Sequence, residues 1–325
     1  MSTDTGSRFS GSLPSPRRWV ENLSDTQFAY LLLLPGLVVF GIVAFWPLFR
    51  TFQMSLHADV LYGSERLGAF VGLQNYVDLL LGNRNAALPR PFFDLSQPFT
   101  SAVTVTVLFT VVSVLFETLL GFGQALVLNQ EFRGRRWARV AIILPWAVPI
   151  AIQGMIFYLL FQPTVGFLVE PLHQLGLFSA TPQSSSFDSL VIVIVADVWK
   201  TSAFMALIIL AGLQSIDRSL YDVADVAGAS KIERFRTVTL PLVLPSVLVA
   251  MLFRTIGAMR VYGLIDTVSS CSTVPSLSCL VVQSFSASRY ASAATVAFVT
   301  AGIIAVVVSI YIVKFADVEG GGGGF

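Results

Sequence analysis

The sequence predicts an all-α membrane protein with six transmembrane helices and both termini on the inner side. Three observations predict it. The 325 residues are 55% hydrophobic and only 12% charged, with a mean hydropathy of +0.76, whereas a soluble domain carries about 25% charge. Six apolar runs each reach the ~20 residues that a helix needs to cross hydrocarbon. The basic residues collect on alternate connections between those runs, which orients the chain.

Taken in order, residues 1–27 are polar, with the pair Arg17-Arg18, and read as a mobile cytoplasmic tail. The run 28–49 is the first span. It is too long for a signal-peptide core and lacks a small-x-small cleavage site, so it reads as an uncleaved anchor that Pro35 and Pro47 should bend or end. The outer loop 50–100 carries Tyr62, Phe70, Tyr76, Phe92 and Phe93. Aromatics in a polar loop suit a folded cap, either a docking surface for an extracellular partner or a passive lid on the first helix.

The core, 101–315, holds the spans 101–128, 137–161, 189–212, 242–264 and 291–314. Its second outer loop, 162–188, has no basic residue. With the N-terminus inside, twelve basic residues face inward: Arg8, Arg17, Arg18, Arg133, Arg135, Arg136, Arg139, Arg218, Lys231, Arg234, Arg236 and Lys314. Five face outward: Arg50, Arg66, Arg84, Arg90 and Arg289. That imbalance favours both termini inside. The closing stretch 316–325, with Glu319 ahead of a glycine run, reads as a linker or disordered tail.

Between the fourth and fifth spans lies a polar island, 213–241, placed on the cytoplasmic side. Asp217 suits a helix N-cap, and Arg218 and Asp222 sit at i,i+4. Leu220, Val223, Ala224 and Ala227 form an apolar stripe, and Gly228 ends the run. Ser230 and Glu233 make a capping box for a second helix, with Leu240-Pro241 opening a further one. The stripe needs a partner, which is either the membrane surface or another protein.

Charged side chains at membrane depth are functional candidates. Glu117 lies mid-span with Gln124 on the same face, Asp197 and Lys200 are spaced to pair with each other, and Arg254 and Arg260 follow in the fifth span. Glu117 and Arg254 are either an ion pair between helices or substrate contacts. Phe109, Phe116, Trp146, Phe157, Tyr158, Trp199 and Phe204 could stack on a sugar or simply pack. Cys271 and Cys279, the two cysteines, share one short polar loop, either as a disulfide or as two thiols. His57 and His173 stand far apart in loops, which argues against a metal site. No phosphate-cradling G-x-x-x-x-G-K-[ST] occurs, so ATP binding by this chain is not expected, and the net charge of +1 gives no reason to expect nucleic acid.

Asp222-Val223-Ala224, Gly228-Ala229, Phe235 and Leu240-Pro241 through Pro245 resemble the EAA loop of permease subunits in bacterial ABC importers. Aspartate stands for the usual glutamate, Val223 for an alanine, and Ala227 where aspartate is common. Outside the loop, Leu32-Leu33-Leu34-Pro35, Val71-Gly72-Leu73-Gln74-Asn75-Tyr76, Leu144-Pro145-Trp146-Ala147-Val148-Pro149 and Trp199-Lys200-Thr201 are similar to recurring segments of the maltose and glycerol-phosphate type of sugar permease.

The resemblance implies a type I importer fold in a bacterial inner membrane. It implies a second homologous permease, two ATPase subunits that bind the ATP and Mg, an extracellular substrate-binding (lipo)protein, and no cofactor on this chain. The cargo would be a sugar, with a disaccharide such as trehalose as the expectation. ATPase coupling would fall to Leu220, Tyr221, Asp222, Val223, Ala224, Asp225, Gly228, Ala229, Phe235, Leu240 and Pro241. The sugar path would pass Thr201, Phe204, Arg254, Gly257, Ala258 and Val261, with Glu117 added by its depth. Several of these are small or apolar where a sugar would want amides, so the partner permease would hold more of the sugar. The competing readings are an ion-gradient transporter using Glu117, Asp197 or Arg254 as relays, and an intramembrane enzyme. The latter needs a nucleophile and base at membrane depth, where neither histidine lies.

Overall fold

The computed structural model describes residues 23–60, 67–83 and 88–321, with side chains up to residue 313. Arg8, Arg17, Arg18, Tyr62, Arg66, Arg84 and Phe325 lie outside the described residues, as do the side chains of Lys314 and Glu319 and the end of the glycine run. Among the described residues the secondary structure is helical, apart from one isolated antiparallel bridge between His57 and Phe70. The chain divides between Gln53 and Met54 into two compact units.

The first helix, α1 (Asp25–Ser55), starts from a capping box made by Ser24 and Gln27, three residues before the expected span. Neither Pro35 nor Pro47 ends it. A π turn at Gly41–Phe45 closes just ahead of Trp46-Pro47, with the Trp46 amide donating to the Gly41 carbonyl. Widening the helix by one residue there absorbs the donor that proline lacks and the clash of its ring with the preceding turn.

In the second unit, α2 (Gln74–Leu80) sits in the cap, and α3 (Ala102–Asn129) is the second span. The third span is broken, which corrects the single helix expected over 137–161. α4 (Arg135–Ala147) and α5 (Ile150–Leu160) meet at 93°. The residue before a proline is pushed out of the helical region, and Val148, ahead of Pro149, is extended at φ −70°, ψ 128°. A short α6 (Val169–Gln174) follows, then α7 (Ser186–Gln214), the fourth span, capped by the Ser185 side chain.

The polar island forms α8 (Arg218–Val226). The helix expected to start at Ser230 does not stop before the fifth span; one helix, α9, runs over Lys231–Ala258. It continues through Leu240-Pro241 by the device used in α1: a π turn at Phe235–Thr239, in which the Leu240 amide donates to the Phe235 carbonyl. α10 (Gly263–Val268), α11 (Leu277–Ser286) and α12 (Tyr290–Gly321) complete the chain. α12 passes into the stretch expected as a tail. Among the described residues five helices are thus long and apolar enough to span a bilayer alone, and the count is six when the bent pair α4–α5 is taken as one span.

α3 and α7 form the most extensive helix pair, and α9 packs on both. Their approach is close because Gly121 has no side chain: a Cβ there would lie 2.5 Å from the Met205 Cβ. One apolar cluster gathers Phe109, Val193, Ile265 and Val268, and a second gathers Leu128, Met205, Ile209 and Val243.

Cys271 and Cys279 form a disulfide with a Cα–Cα distance of 5.4 Å. The stretch expected as a polar loop is folded inward, and both cysteines are buried in the first cluster. The cap is folded too. Asn75, fully buried, donates from Nδ2 to the carbonyls of Ser55 and His57, each at 2.7 Å. Phe92 packs with Leu79, Leu280 and Val296. Asp59 accepts the backbone amides of Ala291 and Ser292 at 2.8 and 3.1 Å, so its carboxylate caps the start of α12.

Candidate functional site: an exposed helix and an intramembrane cavity

Two features draw together most of the residues singled out from the sequence. The first is α8 with its flanks. Asp217 accepts the Ser219 amide at 2.9 Å as the N-cap, and that backbone bond, with one from the Ser219 hydroxyl, holds the Asp217 carboxyl below the usual carboxylate range. At the other end the Ala229 amide reaches the Ala224 carbonyl at 2.9 Å and the Gly228 amide reaches Asp225 at 3.0 Å. This is the Schellman closure, and Gly228 takes the left-handed φ of +77° that it requires.

No residue of α8 is buried. Val223 is 67% exposed and Val226 91%. Leu220, Asp222, Asp225 and Gly228 are also exposed, while Tyr221, Ala224 and Ala229 are half-buried. Among the described ion pairs Arg218 goes to Glu131 at 3.5 Å rather than to Asp222, and at such exposure the pair is worth ~0–1 kcal/mol.

Two contacts join α8 to the base of α9. Arg234 donates to Asp225 at 2.6 Å, and the Tyr221 and Thr239 hydroxyls share a hydrogen bond at 3.1 Å. The Phe235 ring stands edge-on to Phe122, with centroids 5.8 Å apart. Leu240 and Pro241 are exposed on the first turns of α9. A polar pocket of about 500 Å³ opens beneath, lined by Asn129, Glu131, Arg135, Arg218, Tyr221 and Asp222.

The second feature is a cavity of about 390 Å³ among α5, α7, α9 and α10. Thr201, Arg254, Gly257, Ala258 and Val261 line it, as do Gln153, Asp197, Lys200, Arg260 and Tyr262. Phe204 stands apart from it, stacked on Trp146 with centroids 6.4 Å apart. Of the aromatics expected as sugar platforms, none lines this cavity, and Phe109 is fully buried in the core.

Glu117 does not line the cavity either. It is fully buried behind Arg254, which holds it by two bonds, Nε to Oε2 and Nη2 to Oε1, the latter 2.8 Å long. Arg254 Nη2 also binds Asp197 Oδ2. The ion pair expected between Asp197 and Lys200 is therefore replaced by one between α7 and α9, because Arg254 reaches the carboxylate from the facing helix. Its guanidinium has room because residue 257 is glycine: a Cβ there would lie 3.0 Å from Arg254 Nη1. A lone buried carboxylate is prohibitively costly in this medium; here one guanidinium bridges two carboxylates from two other helices.

Gln153 was missed in the sequence. It is the lone amide in the apolar run of α5, and its Nε2 donates to the Ala196 carbonyl at 2.6 Å across to α7. An intramembrane amide in such a run was the available signal. His57 stands edge-on to Phe70 and His173 lies beside the Phe178 carbonyl. Among the described residues no group of three or more His, Cys, Asp or Glu is placed to hold a metal.

Comparison with known proteins supplies the wider context. Residues 117–317 match the family model described as binding-protein-dependent transport system inner membrane component. The chain is 37% identical over 241 residues to the trehalose/maltose transport system permease protein MalF of Thermococcus litoralis, covering 74% of this chain and 76% of that one. It is 35% identical over 252 residues to the sulfoquinovosyl glycerol permease SmoG of Agrobacterium fabrum, covering 78% and 77%. It is 30% identical over 240 residues to the trehalose permease SugA of Mycobacterium tuberculosis, covering 74% and 72%. Among solved structures, a bacterial ABC transporter that imports the acidic polysaccharide alginate overlays with a TM-score of 0.72 at 21% identity. That overlay covers 92% of this chain and 98% of the other, which fixes the fold.

Proposed function

The chain belongs to the family of binding-protein-dependent transport system inner membrane components, and from that premise we propose that it is half of the translocation path of an ATP-driven sugar importer. It is a multi-pass membrane protein and a transport component, not an enzyme. The relatives carry sugars in their names, two of them trehalose, and this supports a sugar cargo, a disaccharide first. The cavity volume of about 390 Å³ falls in the roughly 300–1,000 Å³ range of small-molecule sites. Gln153, Thr201 and Tyr262 offer it amide and hydroxyl groups.

The observation that carries the reading is α8. A nine-residue helix, capped at both ends, presents Val223 and Val226 uncovered by the described residues and is bonded to the base of a helix that runs to the cavity wall. A cleft on an ATPase subunit is the occupant that fits. Closure of two ATPase subunits on ATP and Mg would move α8, and α9 would carry that motion to the cavity, opening it alternately to each side. The partners are then a second permease, two ATPase subunits and an external binding protein. A solved relative of the same fold was captured with a periplasmic protein holding an alginate pentasaccharide. The membrane is then a bacterial inner membrane, a reading supported by the family description as an inner membrane component, with α8 on the cytoplasmic side. This chain itself binds no nucleotide.

The test is affinity purification from the native membrane, then sugar-stimulated ATP hydrolysis by the recovered assembly over a panel headed by trehalose and maltose. Co-purifying ATPase and binding protein with stimulation by a disaccharide is expected. Uptake by this chain alone, driven by a proton or sodium gradient, would overturn the reading in favour of a secondary transporter.

A further inference from the structure

Asp197 lies within reach of two cations, and one of them holds it. Arg254 binds it from α9. Lys200 lies three residues on along α7, on the same face and lining the same cavity. Lys200 is half-buried, midway along a transmembrane helix, and no ion pair or hydrogen bond engages it among the described residues. A lone ammonium at that depth is costly and marks function. Arg254, by contrast, has more than it needs, since Glu117 already takes two of its bonds. Arg254 can therefore either bridge Asp197 and the Glu117 carboxylate behind it, or keep Glu117 alone and leave Asp197 to Lys200.

We propose that Asp197 is a partner-exchange switch, bonded to Arg254 in the state described and passed to Lys200 when α9 shifts against α7. The proposal rests on α8 being the lever of an importer. Asp197 and Lys200 ride together on α7, whereas Arg254 rides on α9, whose base is bonded to α8 through Arg234–Asp225 and Thr239–Tyr221. A lever stroke therefore moves Arg254 relative to Asp197 but leaves the distance from Asp197 to Lys200 nearly constant. Glu117 is the pivot, since its two-pronged bond keeps Arg254 compensated throughout, and Gly257 leaves the guanidinium room to swing. In the state described Arg254 bridges both carboxylates, whereas after the exchange Arg254–Glu117 and Asp197–Lys200 are separate pairs, which makes two discrete arrangements rather than a continuum. Asp197 and Lys200 are then positioning residues that tie cavity shape to lever position.

The direct test is a structure of the assembled importer in lipid discs, closed on ATP and vanadate. The exchange predicts Asp197 within about 4 Å of the Lys200 ammonium and released from Arg254; Asp197 still on Arg254 would overturn it. A second readout is the fraction of assemblies that close on ATP without sugar. Lys200→Met should lower it roughly 5–150-fold, the span of ordinary coupling energies, and Lys200→Arg should restore it. A lysine that only touched sugar would leave sugar-free closure unchanged, and that result would also overturn the exchange. A wild-type assembly that recruits no ATPase subunit defeats the importer reading and this inference with it. Normal closure of Lys200→Met in an assembly that transports defeats the exchange alone.

Discussion

Arg254 sets the cost of the whole intramembrane charge cluster. Glu117 is fully buried and has two bonds to that guanidinium, so Arg254→Ala leaves a carboxylate stranded among helices. Removing one partner of a buried pair costs about 3–5 kcal/mol, and the purified protein should show it as a much lower melting temperature. Glu117→Gln with Arg254→Met, which removes the main charges together, should recover part of that loss. The sequence marked Glu117, Asp197 and Arg254 as candidates by depth alone. It could not say which carboxylate meets which cation, since Asp197 has Lys200 at helical spacing and meets Arg254 only across a helix interface. Asp217 gives a pH prediction at the same scale. Its carboxyl is held below the ordinary value by bonds to Ser219, so the cap is fully present above the unfolded pKa and is lost as pH falls through the lower folded value. Hydrogen exchange in α8 should rise in that acid window, and Asp217→Asn should flatten the dependence.

At the scale of elements, the ends of α8 were legible, though not the partner of Arg218, which is Glu131 and not Asp222. Asp217 as N-cap, Gly228 as the stop and the Ser230–Glu233 box are local backbone chemistry, and local chemistry can be read from adjacent residues. Two prolines misled for the opposite reason. Pro47 and Pro241 are helix breakers by rule, yet each follows a π turn that lets the helix continue, at Gly41–Phe45 and Phe235–Thr239. A π turn has no residue signature of its own. Pro149 did break its span, because Val148 ahead of it went extended. The lever reading makes a sharp demand on Gly228. Gly228→Pro cannot adopt a φ of +77°, and sugar-stimulated ATP hydrolysis should be abolished while the protein still reaches the membrane. Asp222→Lys, which alters the exposed face without touching the backbone, should do the same; normal stimulation in both would remove α8 from the coupling.

For the whole molecule, hydropathy was enough to find the five long apolar helices and the bent pair, because bilayer thickness imposes one length on every span. It was silent on the cavity, which α5, α7, α9 and α10 assemble from residues more than a hundred positions apart. Hence Gln153 escaped notice while Phe204, named on spacing from the loop, turned out to stack on Trp146. The disulfide is local, closing a loop between Cys271 and Cys279, but the burial of both cysteines in a core cluster comes from the fold. Replacing both with serine should cost about 2–3 kcal/mol from the short loop it closes, seen as a lower melting temperature at unchanged topology.

The central claim is that α8 meets an ATPase subunit on the inner face, and Val226 is the residue to ask because it is 91% exposed. A single Val226→Cys, treated with a short bifunctional thiol reagent in native membranes, should cross-link to the ATPase subunit, and ATP should change the yield. Labelling of that cysteine by an impermeant reagent from outside intact cells, with no cross-linked product, would contradict the account.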